Sequence, residues 1–105
     1  MSSNLEVLAQ DVTRSIDIVT INFYKNGSES IAYNELNLLF ENLSNIFQIL
    51  ATDPALNDIM VSISNIVKML NDVLENDDTL KICGLLYFEL KPILENLTGV
   101  QGDTQ

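Results

Sequence analysis

Four stretches of the chain carry apolar residues at alternating steps of three and four, and short polar breaks separate them. Those steps place the apolar side chains on one face of an α-helix, whereas a half-buried strand would show alternation at every second residue. The pattern therefore predicts an all-α chain of four amphipathic helices. The apolar positions of the first stretch are Leu5, Leu8, Val12, Ile16, Val19 and Phe23. Those of the second are Ala32, Leu36, Leu39, Leu43, Ile46 and Leu50. The third stretch is the most regular, and its apolar positions are Leu56, Ile59, Ile63, Ile66, Leu70 and Val73.

The breaks carry residues that begin and end helices. Gly27 is expected just past the first helix because glycine readily takes the left-handed conformation there. Ser28 is expected to cap the second helix, and Asp53 with Pro54 suits the start of the third. The predicted helices cover residues 3–25, 29–51, 54–75 and 79–97.

Connections this short join neighbouring antiparallel helices. We therefore predict a four-helix up-down antiparallel bundle, formed by one domain over residues 1–99. The remaining residues, 100–105, are expected to form a disordered tail.

The fourth helix has more apolar residues than one bundle seam needs. Its predicted core face is Leu80, Cys83, Leu86, Leu90, Leu94 and Leu97. Other apolar side chains surround much of the rest of the helix, which is typical of a helix buried on several sides. Pro92 lacks an amide hydrogen, so we expect this helix to bend at Pro92, near Phe88.

The chain is strongly acidic, with fifteen acidic residues, five basic residues and a formal charge of −10. This charge repels phosphate backbones and anionic lipid, so we expect neither nucleic-acid nor membrane binding. The acidity fits an ordinary solvated surface, a face for a basic partner, or an acidic mimic of nucleic acid. The single cysteine, Cys83, excludes an internal disulfide and favours a reducing, cytoplasmic compartment.

The residue types that common active sites require are scarce. With no histidine, the chain cannot form a Ser-His-Asp triad or a Cys-His pair. One cysteine is too few for a zinc knuckle or an iron–sulfur cluster, and no glycine-rich loop is present to hold phosphate. We expect no enzyme, no catalytic residue, no metal and no cofactor. One alternative stays open, a carboxylate metal site formed by Glu35, Asp72 and Glu89.

The segment 85–95 (LLYFELKPILE) resembles a tyrosine–aromatic–Glu-Leu-x-Pro-Ile-Leu-Glu stretch near the C-terminus of one protein family. That family comprises uncharacterised small acidic helical-bundle proteins from Gram-positive bacteria, some loosely associated with flagellar or secretion chaperones. The resemblance implies a bundle fold and a chaperone-like role, and no catalytic residue comes with it.

These observations favour a non-enzymatic intracellular protein-interaction module, such as an adaptor, a secretion or flagellar chaperone-like protein, or an inhibitor. The alternatives are a carboxylate metal-binding bundle and an acidic nucleic-acid mimic. The surplus apolar face of the fourth helix could serve a homodimer or a different protein, and we expect the homodimer first. The predicted interface residues are Leu85, Phe88, Glu89 and Ile93, with Ile18 and Ile21 of the first helix.

Overall fold

The structure of the protein is a computed structural model, and it describes residues 2–25 and 27–97, with side chains from residue 5 onward. These residues form four helices and no strand, which confirms the all-α prediction. The predicted tail, 100–105, lies outside the described residues. The helices are α1 (Ser2–Tyr24), α2 (Glu29–Leu50), α3 (Asn57–Glu75) and α4, which consists of the consecutive segments Thr79–Gly84, Leu85–Leu90 and Lys91–Leu97.

The helices lie side by side. α1 contacts both α2 and α4, while α3 packs on α4 and also meets α2. The longest dimension is 41 Å, which suits helices lying lengthwise, because a helix of the length of α1 spans about 35 Å. A short 3₁₀ turn, Pro54–Leu56, precedes α3. The up-and-down order of helix directions stays a prediction.

The predicted apolar faces of α1, α2 and α3 all point into one core. In α3, Ile63, Ile66 and Leu70 are buried, and the outer members of the predicted stripe are partly buried against them. In α1, Ala9 joins the predicted residues in the core. In α2, every predicted position is buried: Ala32, Leu36, Leu39, Leu43, Ile46 and Leu50.

The breaks form as the sequence predicts, with one exception. Gly27 has a φ of +81°, and Asp53 accepts a hydrogen bond from the amide two residues later at 3.0 Å. Asp78 caps α4 by accepting from the amide three residues later at 3.2 Å. Ser28 lies at the N-cap position of α2 as predicted, but its side chain makes no capping hydrogen bond. Its ψ of 14° lies outside the extended region that capping residues usually adopt.

A polar contact joins α1 to α2 inside the apolar seam. Ser15 is only 4% exposed, and its hydroxyl donates to Glu35 Oε2 at 2.8 Å. A buried hydroxyl without a partner would cost about 1–3 kcal/mol of stability. The hydrogen bond to the Glu35 carboxylate therefore avoids this loss of stability when Ser15 is buried.

α4 departs furthest from the regular helix that the sequence predicts. Its buried side chains include Ile82, Leu86, Leu90 and Leu94, which are spaced four residues apart. In a regular α-helix each such step rotates the side chain by roughly 40°, so the row would drift away from the core. The segment Leu85–Leu90 is instead a π turn. Its i→i+5 hydrogen bonds take in more residues per turn and keep the row facing inward.

This geometry corrects the predicted core face of α4. Leu80 was expected in the core but is 68% exposed, and Ile82 is buried in its place. The π turn ends just before Pro92, which has no N–H to donate to the carbonyl of Phe88. The irregularity expected at Pro92 therefore takes the form of a π turn ahead of the proline, and the bend itself stays a prediction.

Two glycines allow a matched test of this backbone. A Cβ at Gly84 would meet nothing within 4 Å, so we expect Gly84→Ala to raise the free energy of unfolding by roughly 0.5–1 kcal/mol through reduced backbone entropy. Gly27→Ala should lower it by roughly 1 kcal/mol, because Gly27 is left-handed. Urea unfolding followed by circular dichroism measures both. A destabilising Gly84→Ala would contradict the open helical position described here.

Candidate interaction surface

The outer face of α4 presents two large apolar side chains to solvent. Phe88 is 74% exposed and Leu80 is 68% exposed, and Gly84 lies between them. We call these three residues the outer ridge. In a regular α-helix Phe88 would lie about 80° around the axis from Leu80. The π turn reduces that offset. A groove lies on each side of the ridge, and Leu80, Gly84 and Phe88 line both grooves.

The larger groove, of about 600 Å³, runs between α3 and α4, and we call it the α3–α4 groove. Leu85 and Phe88 come from the π turn, and Leu80 from the first turn of α4. α3 contributes Met69, an exposed apolar residue. The apolar lining is Met69, Val73, Leu80, Leu85 and Phe88.

Three charged residues border the same groove: Asp72, Lys81 and Glu89. Asp72 and Glu89 are exposed, and neither carboxylate forms an ion pair within the described part of the chain. Lys81 lies 4.0 Å from Asp78 Oδ2, which offsets its charge. The groove is therefore an apolar channel with two unpaired carboxylates beside it.

A smaller groove of about 260 Å³ lies between α1 and α4, on the other side of the outer ridge. Charged residues do not line it, and Tyr24 and Tyr87 provide its aromatic edges. Its lining is Thr20, Tyr24, Leu80, Cys83, Gly84, Tyr87 and Phe88. The ridge and the two grooves together form one continuous apolar surface, which we call the α4 surface.

The α4 surface includes three of the six predicted interface residues. Leu85, Phe88 and Glu89 line the α3–α4 groove. Ile21 is exposed on α1, whereas Ile18 and Ile93 are half-buried, and none of these three lines either groove. Sequence reasoning missed the roles of Leu80 and Gly84. Leu80, Gly84 and Phe88 follow one another at steps of four, parallel to the buried row, and that spacing is the signal that could have indicated them.

Lys91 links α4 to α1 through a hydrogen bond. Its Nζ donates to Asp17 Oδ1 at 2.9 Å and lies 4.4 Å from the centre of the Tyr87 ring. The hydrogen bond to Asp17 outweighs the opposing effect of burial and raises the pKa of Lys91. The same ammonium group therefore contacts Tyr87, which lines the smaller groove between α1 and α4.

Tyr33 forms a second link, between α2 and the loop that precedes α4. Its hydroxyl donates to Asp77 Oδ1 at 3.3 Å, and its ring meets Phe23 edge-on at 5.1 Å between centroids. Burial, with the Asp77 and Glu29 charges, raises the pKa of Tyr33. Asp77 itself has a left-handed φ of 51°, which Asp tolerates better than most residues.

Cys83 is buried, as the sequence predicts. Burial raises the pKa of its thiol, and a hydrogen bond involving Thr20 opposes that effect only in part. A raised pKa lowers the thiolate fraction at neutral pH, so the thiol is a weak nucleophile.

The three acids of the alternative metal site do not converge. Glu35 is bonded to Ser15 between α1 and α2, whereas Asp72 and Glu89 line the α3–α4 groove. Within residues 2–25 and 27–97, no group of three or more metal-ligating side chains is arranged to hold an ion.

Alanine variants of Leu86 and Phe88, two residues apart on α4, test which side chain belongs to the core and which to the surface. Leu86 is fully buried, so Leu86→Ala should cost about 2–5 kcal/mol of unfolding free energy. Phe88→Ala should cost less than about 1 kcal/mol, because it removes mainly exposed surface and one contact with Tyr87. Urea denaturation of both variants measures the difference. Equal losses would show that Phe88 belongs to the core.

Alkaline pH should weaken the fold through Lys91 and Tyr33. Their ordinary pKa values are 10.5 and 10.0, and both are raised in the folded chain. The unfolded chain therefore loses these protons first, so the stability they contribute is present below those values and is lost as pH rises through the folded pKa.

Urea unfolding of wild type, Lys91→Met and Tyr33→Phe between pH 7 and pH 12 tests this linkage. The difference in stability between wild type and Lys91→Met should be constant below about pH 9 and shrink above it. Tyr33→Phe should show the same trend. A difference that grows with pH would contradict the raised pKa values.

Comparison with known proteins gives one match. A family model described as "Domain of unknown function (DUF8042)" matches residues 4–99. Neither the curated proteins nor the solved structures contain a match. None of the helices in the described ranges is both long and apolar enough to cross a membrane.

Proposed function

The chain belongs to the DUF8042 family, and we propose that this member is a non-catalytic protein-interaction module that binds through the α4 surface. The observation that carries the proposal is the outer ridge, where Leu80 and Phe88 are more than two-thirds exposed and grooves lie on both sides. Exposed apolar surface of this kind costs solubility and is typical of interaction sites.

The construction of α4 supports this function. π turns are uncommon and occur frequently at functional sites, and here the turn supplies Leu85, Phe88 and Glu89 to one groove. Helix grooves with apolar floors commonly accept amphipathic helices. An adaptor, a chaperone-like protein and an inhibitor would all use such a surface. The free, buried Cys83 fits our proposal of a reducing intracellular compartment.

Two kinds of occupant are compatible with the α4 surface. A second copy of the chain would make a homodimer with the ridges facing each other. A different protein would insert a segment into one groove. The two differ in the mass of the purified protein, which light scattering measures directly.

A pulldown from source-cell lysate should therefore depend on Leu80 and Phe88. The test variant is Leu80→Ser with Phe88→Ser, which adds no charge. The matched control is Ile31→Ser with Leu38→Ser, because these α2 residues are also exposed apolar residues, at 52% and 50%, but lie outside both grooves. Light scattering and circular dichroism on all three proteins report mass and folding.

We expect the wild type and the α2 control to behave alike, and the folded α4 variant to lose either a captured protein or a dimer. If neither is seen with wild type, or if the α4 variant retains both, the proposal is wrong. An acidic nucleic-acid mimic would instead capture a basic protein regardless of Phe88, and high salt would abolish the binding.

A further inference from the structure

The charges beside the α3–α4 groove indicate which of these occupants fits. This inference rests on the proposed function and names the partner of the same surface. We infer that the α3–α4 groove binds a basic amphipathic helical segment of a different protein, with the apolar face of that segment against Leu80, Leu85 and Phe88 and its cations beside Asp72 and Glu89.

The shape of the groove suits a helix. Its volume of about 600 Å³ is bounded on one side by α3 and on the other by the outer ridge. At Gly84 the ridge has a gap, since even a Cβ there would meet nothing within 4 Å. A side chain of an incoming helix can enter that gap between Leu80 and Phe88, as small residues permit close helix approach.

The charge of the groove selects the sign of the partner. The Asp72 and Glu89 carboxylates have no ion-pair partner within the described ranges, and the nearby Lys81 is offset by Asp78. A segment with Lys or Arg on the edges of its apolar face would pair with both acids. Complementary charge of this kind increases specificity and the association rate.

The same charges disfavour a second copy. Each chain carries a formal charge of −10, and a dimer through this groove would bring Asp72 and Glu89 of both copies into one interface. Charges within about 8–10 Å of each other are incompletely screened at physiological salt. A basic partner removes this repulsion, whereas self-association increases it.

Selection from an unbiased library of displayed segments tests the inference without knowledge of the natural partner. The library encodes random segments of about 20 residues, which is enough for five helical turns. Wild-type protein is the bait, and the folded Leu80→Ser, Phe88→Ser variant is the counter-selection bait. The recovered segments are then measured against wild type, Asp72→Lys with Glu89→Lys, and the control Asp58→Lys with Glu41→Lys.

We expect recovered segments to show apolar residues at i, i+3, i+4 and i+7 flanked by Lys or Arg. The Leu80 and Phe88 changes should weaken their binding roughly thirtyfold or more, and the Asp72 and Glu89 reversals roughly tenfold. The control reverses two exposed acids outside the groove and gives the protein the same net charge, so it should weaken binding much less.

Four results would overturn the inference. The recovered segments could be neutral or acidic, they could be equally sensitive to both charge reversals, or the selection could recover no segment that depends on Leu80 and Phe88. A dimer of purified wild type that is lost in the Leu80→Ser, Phe88→Ser variant would also overturn it, because the occupant would then be a second copy. That last result would leave the proposed function standing, whereas the absence of both a dimer and any groove-dependent binder would remove both.

Discussion

The four-residue spacing of the buried row on α4 is the constraint on which the rest of the structure depends. A regular α-helix cannot keep Ile82, Leu86, Leu90 and Leu94 on one line, so burial of all four requires the wider π turn. π turns are rare inside α-helices, and here the turn accompanies burial of the whole row in the core. The same turn aligns Leu80 with Phe88 on the opposite face. One local adjustment therefore shapes both the core and the α4 surface.

The polar contacts of Lys91 and Asp78 stabilise α4 near the α4 surface. Lys91 joins α4 to α1 through Asp17 while its ammonium group lies against Tyr87, and Asp78 caps the first turn of α4. The cap therefore stabilises the start of α4 at one end of the outer ridge, and Lys91 joins α4 to α1 beyond the other end, although the ridge itself faces solvent. A surface that is already ordered loses less conformational entropy when a partner binds.

Periodicity predicted most of the fold and part of the site. α2 matches its predicted face completely because its apolar residues follow steps of three and four, as a regular helix requires. α4 does not, because the assumption of 3.6 residues per turn assigned Leu80 to the core. Phe88 and Glu89 of the α3–α4 groove are among the interface residues that the sequence predicts. Gly84 and Asp72 could not be assigned to the same groove, since their proximity depends on how α3 and α4 pack.

The contact between Ser15 and Glu35 has a consequence for how α1 and α2 recognise each other. Apolar stripes are nearly unchanged by a slide of one helical turn, about 5.4 Å, so hydrophobic contact alone distinguishes poorly between neighbouring alignments. A slide would leave the Ser15 hydroxyl, which is only 4% exposed, without its carboxylate acceptor. This polar pair therefore favours one register of α1 against α2, in the way that isolated buried polar residues set alignment in coiled coils.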